Sequence, residues 1–568
     1  MRTFSDNSVV RRGARRLSGS PPVPAAAPLP EPGPSPGPGP GSGSDSGPGP
    51  RRGPRPGSRL APRLPAALLP WAWAAVLLAL YATVSVRRHL LLRTTGYDLG
   101  IFEQAVRAYA RFQPPVVPLR GEGFNLLGDH FHPAIAVLAP LYRLWPSPLA
   151  LLTAQAALIA VAVVPLAGWA LETLGRRAAH AVALVYGLSW GVASAVAFDF
   201  HEVALAVPLV SYAVVALGRR RWRAAVLWAA PLVLIKEDLG LTVAAVGAYI
   251  AWKGPRRLGL LTAVAGLAAS AVEIELLLPA FNPAGGYAHG GNLPDDARTS
   301  LLTTVALAPL DALRPDVKAV TLVLVFAPSA LLALRSPLAL LTVPTLAWRM
   351  LSENGFHWGT SFHYSVVLMP VVTAGLIDAL RHWRTAPAPA TTPGPAPETG
   401  TAAGRPPAAR HIRASLATAL AVTAVILPSF PLALLAQRAT WRTTEHVEAA
   451  GALLARIPDG ATVAASNRLV PQLTARTEVV LFPTFPVGSR LYEYDRATLP
   501  RPTAEWIVHD RRAPHAWPYR AGHWPYPPEQ QLAELDRARL VYGYREVAER
   551  DGITLLRLGP PRVPGAHG

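Results

Sequence analysis

Long apolar blocks recur along this chain, and several approach the ~20 residues that a helix needs to cross a hydrocarbon layer. Ala66–Ser85, Leu149–Leu171, Leu258–Phe281 and Ser415–Ala436 are examples. One such block could be a buried core helix in a soluble protein. So many in one chain point to a membrane, because water offers no reason to keep them. Charge agrees: only 16% of residues are charged, against about 25% in soluble domains. The sequence therefore predicts a mainly α fold, a polytopic transmembrane bundle of about eleven helices.

The net charge of +19 does not indicate nucleic acid. Arginines concentrate in the N-terminal tail and in short loops between apolar blocks, where membrane proteins keep cytoplasmic positive charge. The chain contains no cysteine, which excludes disulfides and thiol chemistry.

Residues 1–65 are rich in Pro, Gly, Ser and Arg, a composition that cannot bury a core. Ten arginines against Asp6, Glu31 and Asp45 make this tail basic, which predicts a cytoplasmic N-terminus. The apolar stretch starts too late for a signal peptide, so the first helix, 66–85, stays as an anchor. Further helices are expected at 149–171, 178–199, 202–218, 224–237, 239–252, 258–281, 319–334, 336–351, 362–380 and 414–436. Alternating from inside, they place Arg176-Arg177, Arg219–Arg221, Lys253–Arg257 and the Arg381–Arg413 loop on the cytoplasmic side. Arg87-Arg88 are the exception and fall outside.

The membrane domain thus spans 66–436, with a Pro/Ala/Thr-rich cytoplasmic linker at 383–410. Residues 437–568 read differently. Ala461–Ala465, Val479–Phe482, Trp506–Asp510 and Ile553–Leu556 suggest short strands, and His446–Ile457 and Gln530–Ala538 suggest helices. These predict a small α/β domain, extracytoplasmic by the same alternation.

Five polar motifs fall on the external face of this map. The first loop carries Thr95–Gly100, with Tyr97 and Asp98, and then Gly128–Pro133, with Asp129, His130 and His132. Phe198–Glu202, with Asp199, His201 and Glu202, joins two helices, as does Lys236-Glu237-Asp238. Glu353–Trp358 and Phe362–Tyr364 bring His357 and His363. Each has an ordinary reading: Asp98 as a helix cap, His130 and His132 as a polar turn, Lys236–Asp238 as a self-neutralised cluster, and the aromatic residues as an interfacial belt. Ionisable groups at the ends of membrane helices are nevertheless costly and commonly functional, so their collection on one face marks a candidate site.

Asp98 is the candidate base, and Tyr97, Glu103, His130, His132, His201, Lys236, His357 and His363 are candidates for binding substrate or phosphate. Asp129, Asp199, Glu202, Glu237 and Asp238 could orient these groups or hold a divalent metal ion.

The run Tyr97-Asp98-Leu99-Gly100-Ile101-Phe102-Glu103-Gln104, then Gly128–Pro133, Phe198–Glu202, Lys236–Asp238, Phe356-His357 and His363-Tyr364, resembles the bacterial membrane family termed domain of unknown function 2079. The similarity covers most of residues 66–510. A more distant resemblance is to membrane glycosyltransferases of the GT-C architecture. It implies a cytoplasmic N-terminus, an acidic residue in the first external loop, a soluble external domain and a polyprenyl-phosphate-linked sugar donor. Asp98 occupies the matching place, alone rather than as an acidic pair, with Glu103 five residues on.

Three functions follow as alternatives: a glycosyltransferase at the outer face of the cytoplasmic membrane, a transporter, and a non-catalytic cell-envelope scaffold. The bilayer is a partner in all three, and nucleic acid in none. The transporter reading is disfavoured by acids placed at helix ends and by a hydropathy pattern without a clear internal repeat. The topology is tested by reporter fusions at Thr391 and Gly568, which should report opposite sides of the membrane; the same side for both would overturn it.

Overall fold

The structure is a computed structural model that describes residues 65–283, 285–287, 289–292, 314–385, 407–484, 501–513 and 527–559. The basic tail and most of the 383–410 linker lie outside these residues.

Four described helices are long and apolar enough to cross a membrane: Ala66–Leu90, Pro148–Leu174, Arg256–Phe281 and Ala409–Ser429. Arg176–Gly187 and Trp190–Val196 form a fifth candidate, bent by 51°. Other expected crossings appear as shorter apolar helices, including Val203–Gly218, Trp222–Leu234, Leu239–Lys253 and Pro337–Leu351. The expected 319–334 helix stops at Phe326, and Ala330 and Leu331 then adopt left-handed backbone. The expected 362–380 helix begins only at Leu368. Irregular backbone at such places is compatible with a membrane where protein covers it.

The first span shows how the bundle is tied. Ala74, Leu77, Tyr81, Val84 and Arg88 recur at three- and four-residue intervals and form its buried stripe. The Tyr81 hydroxyl donates to the Gly187 carbonyl (2.8 Å), and the Ser85 hydroxyl to that of Val196 (2.7 Å). Leu239–Lys253 and Arg256–Val272 pack backbone to backbone through small residues. A Cβ on Gly247 would lie 2.3 Å from the Ala263 nitrogen, and one on Gly259 2.1 Å from that of Ala251. Close approach of this kind is how helices associate where lipid removes the hydrophobic drive.

The C-terminal domain holds a five-stranded sheet of order β2-β1-β3-β5-β4, with β1 Thr462–Ala465, β2 Glu478–Leu481, β3 Trp506–Asp510, β4 Tyr544–Arg550 and β5 Ile553–Leu558. Strands β2, β1 and β3 are parallel, β5 runs antiparallel to β3, and the edge strand β4 runs antiparallel to β5. Side chains alternate between faces along a strand. Ala464, Ile507 and Leu556 pack with Leu535 and Ala538 of the helix Pro528–Leu540. On the other face Val463, Ala465, Val508 and Leu555 share a core with Leu99, Phe102, Leu119 and Phe124 of the segment that follows the first span. That segment is thus part of the sheet's own core, which places both at the same end of the bundle.

Polar contacts fix the register of this docking. Asn467 accepts hydrogen bonds from the Gly96 amide at its carbonyl (2.7 Å) and from the Tyr97 amide at its Oδ1 (3.0 Å). Gln104 Nε2 donates to Val479 O (2.8 Å), and Arg107 to the carbonyls of Thr474 (2.6 Å) and Thr477 (3.0 Å). Arg87 donates to Thr440 O (2.9 Å) and lies over Trp441. Of the two arginines that break the cytoplasmic-charge pattern, Arg87 is therefore in use against the C-terminal domain, and Arg88 donates to Arg93 O (3.0 Å).

Gly96 permits the contact, since a Cβ there would stand 2.5 Å from the Val470 Cβ. Gly96→Ala should destabilise the folded protein by about 1–3 kcal/mol through overpacking. Val470→Gly in the same chain should make the combined loss smaller than the sum of the two single losses. Thermal unfolding of the detergent-solubilised variants checks this, and strict additivity would contradict the contact.

Candidate functional site

A π-helical turn, Gly96–Gly100, follows the first span and leads into the amphipathic helix Ile101–Ala110. It carries Asp98. Beneath it, Thr95 donates to Asp199 Oδ2 through its amide (2.8 Å) and its hydroxyl (2.6 Å). Asp199 is buried, and its own segment is set by Gln155, which donates to the Asp199 carbonyl (2.5 Å) and accepts from the His201 amide (3.0 Å). The turn is thus pinned from below by Asp199 and from above by Asn467. Asp98 Oδ1 lies 3.4 Å from His201 Nε2, and the Asp98 side chain keeps 18% of its surface exposed.

Aromatic and imidazole rings surround this carboxylate. His201 stacks on His363, with ring centroids 3.7 Å apart, and on Phe198 at 4.8 Å. Phe102 contacts both His132 and His201 at 5.6 Å. Four buried imidazole nitrogens here have no hydrogen-bond partner: Nδ1 of His132, Nδ1 of His201 and both of His363.

A second group continues from Glu202. Its Oε1 lies 3.3 Å from Lys236 Nζ, and both side chains are buried. The next residue, Glu237, accepts from His130 Nδ1 (2.7 Å) and from the Tyr287 hydroxyl (3.0 Å) at Oε1. His130 stacks parallel to His289, with centroids 4.2 Å apart and planes 2° from parallel. Asp129 Oδ1 is 3.4 Å from His289 Nε2 and 2.8 Å from Arg120. Glu273 brings another buried carboxylate into electrostatic range of Glu237 and Asp238.

Protonation follows from these contacts. Burial opposes charge on His130, but the Glu237 carboxylate outweighs it and raises the imidazole's pKa. Burial would raise Asp129, yet Arg120 and His289 hold it well below the usual carboxylate range. Asp238 is pushed up to about 6 by burial, which Lys236 offsets only in part. His363 is driven well below the ordinary histidine value by burial, with His201 and Lys236 adding to the effect.

Tyr97, Asp98, His132, Asp199, His201, Glu202, Lys236, Glu237, His130 and Asp129 are linked through contacts or adjacency along the chain. Asp238 belongs to the same field. His357 stands aside, bonded through Nδ1 to the Ser352 hydroxyl (2.7 Å) and ringed by Trp348 and Tyr364. Glu103 points elsewhere: it is buried, accepting from Tyr142 (2.8 Å) and from Thr474 of the C-terminal domain. Sequence reasoning passed over His289, Tyr287 and Arg120. His289 lies in a Gly-rich loop, Gly285-Gly286-Tyr287 and then His289-Gly290, where an aromatic residue two positions from a histidine was the available signal.

An apolar bundle capped by a small α/β domain, with buried charge gathered where the two meet, defines a polytopic membrane protein. The chain belongs to the family described as predicted membrane protein (DUF2079), whose model matches residues 88–555. No curated protein matches the chain. Among solved structures it is similar to the crystal structure of ArnT from Cupriavidus metallidurans bound to undecaprenyl phosphate. That likeness has 12% identity and a TM-score of 0.45, over 86% of this chain and 98% of that one.

Glu103 gives a pH test. Burial raises its pKa to about 7 from 4.5, despite the Thr474 and Tyr142 hydroxyls. A carboxyl whose pKa is higher in the folded state binds more protons folded than unfolded, so stability falls as pH rises through this window. The penalty is absent below pH ~4.5 and complete above pH ~7, reaching about 3 kcal/mol. Glu103→Gln should be more stable than the parent at pH 8 and close to it at pH 4.5. Thermal unfolding across this range measures the difference, and an equal gap at both ends would contradict the assignment.

Proposed function

We propose that this protein transfers a sugar from a polyprenyl-phosphate donor to an acceptor hydroxyl at the outer face of the cytoplasmic membrane. The N-terminus is then cytoplasmic and the C-terminal domain extracytoplasmic. The observation that carries the reading is the setting of Asp98. A partly exposed carboxylate stands among three buried imidazoles, four of whose nitrogens have no hydrogen-bond partner. Buried polar atoms without partners are costly, and they commonly mark a place where a ligand or water completes the bonding.

The chemistry divides between the two halves of the cluster. Asp98 accepts the proton of the acceptor hydroxyl, which requires that hydroxyl within hydrogen-bond reach. His201, next to Asp98, and His132 face the departing phosphate as donors. Lys236 and His130 add positive potential, each anchored by an acid: Lys236 by Glu202, and His130 by Glu237. Asp199 works through Thr95 and holds the turn that carries the base. Tyr97 and Phe102 flank Asp98 in sequence, and their rings are of the kind that stacks on a sugar face. The lipid chain would lie between helices, where the bundle already faces hydrocarbon.

Asp98→Asn tests the reading. The amide keeps the shape, but it cannot take a proton. Transfer from a radiolabelled polyprenyl-phosphate sugar in membrane vesicles should fall by about a hundred- to ten-thousand-fold, with unfolding behaviour unchanged. Transfer at the parent rate would overturn the role of Asp98.

A further inference from the structure

We infer that Asp129, His130 and His289 form a binding site for a zinc-class transition-metal ion. Each residue offers one ligand atom, and the three atoms lie within 4.8 Å of one another. That spacing lets a single ion join all three once the side chains turn toward it, since Zn–N and Zn–O bonds are about 2.0–2.2 Å. This proposal shares His130 and Glu237 with the transfer reading, but its test needs neither donor lipid nor acceptor.

The donor set selects the class of metal. Two imidazoles and one carboxylate suit zinc, cobalt and their neighbours, whereas magnesium and calcium prefer oxygen-only sets. Three protein ligands also leave a fourth position open for water or substrate.

The surroundings have the form of a metal site's outer shell. A ligating histidine ordinarily uses its second nitrogen on a carboxylate that fixes the ring. His130 does this: its Nδ1 is 2.7 Å from Glu237 Oε1, which leaves Nε2 for an ion. Tyr287 holds the same carboxylate oxygen at 3.0 Å, and Arg120 holds Asp129 at 2.8 Å. His130 and His289 lie stacked in parallel with centroids 4.2 Å apart; a metal binds in the plane of an imidazole, so one ring turns out of the stack to bring both nitrogens onto the ion.

A second observation is independent of the three ligands. Glu237 is 1% exposed, and its Oε2 has no hydrogen-bond partner. A buried carboxylate oxygen left in this way favours added positive charge nearby. An ion held by His130 and His289 would supply it. It would also fasten the Tyr287–His289 loop, which follows the Arg256–Phe281 span, to the first external loop.

The test uses the full chain in detergent, stripped with EDTA and titrated with Co²⁺ and Zn²⁺ alone. About one Co²⁺ per chain should bind, with visible absorption of a low-symmetry site, and Zn²⁺ should displace it while excess Mg²⁺ does not. His289→Ala and His130→Ala should remove this binding, and Glu237→Gln should weaken it by about ten- to a hundred-fold. Zn²⁺ should also raise the thermal midpoint of the unsubstituted protein, reversibly with EDTA. That last measurement decides the question if a variant fails to fold. Binding that survives both histidine substitutions, equal displacement by Mg²⁺, or no Zn²⁺-dependent midpoint would each overturn the site.

Discussion

The turn from Thr95 to Gly100 is held between two anchors, and the rest of the candidate site depends on that hold. Asp199 takes both donors of Thr95 from the bundle side, and Asn467 takes the amides of Gly96 and Tyr97 from the domain side. Neither anchor alone would fix the direction of Asp98, because a π-helical turn is a short and uncommon backbone form. Glycine at 96 is needed for the domain to come close enough. The sheet then rests one face on the segment after the first span and carries its own helix on the other. A domain that looks separable in sequence is therefore part of the site's framework.

Charge at the end of an apolar bundle must be met by charge or by hydrogen bonds, since isolated ions in such surroundings are very costly. The protein meets this by pairing: Lys236 with Glu202, His130 with Glu237, Arg120 with Asp129. The pairs follow one another along the chain and across space, so each partner's position constrains the next. Imidazoles fill the gap between this chain of pairs and Asp98. They suit the task because one ring both stacks on neighbours and offers a donor or acceptor.

Much of this was legible in the sequence, and what was not has physical reasons. Apolar blocks announced the bundle, and polar motifs at block ends announced Asp98, His201, Lys236 and Glu237. Strand β4 escaped because Tyr544–Arg550 is a largely exposed edge strand rich in charge, without the apolar alternation that betrays a half-buried strand. The breaks after Phe326 and before Leu368 escaped because hydropathy averages across a turn whose side chains stay apolar. Glu103 shares a motif with Asp98 but sits on the helix beyond the turn, where its side chain meets Tyr142 and Thr474. His289 lay in a glycine-rich loop with no acid beside it, and only folding brings Asp129 and His130 to it.

The most direct test of this account is whether the C-terminal domain sits on the turn that carries Asp98 in the membrane. The chain has no cysteine of its own, so a single introduced pair reports without background. Tyr97→Cys with Asn467→Cys puts one thiol on each of two segments that meet at a 3.0 Å hydrogen bond, within reach of a short bis-maleimide. Treating intact membranes with that reagent should link the two segments in most molecules, as seen by mass spectrometry after proteolysis. Absence of that link, in a protein that still inserts and whose two thiols both react with a small alkylating reagent, would contradict the arrangement on which the site is built.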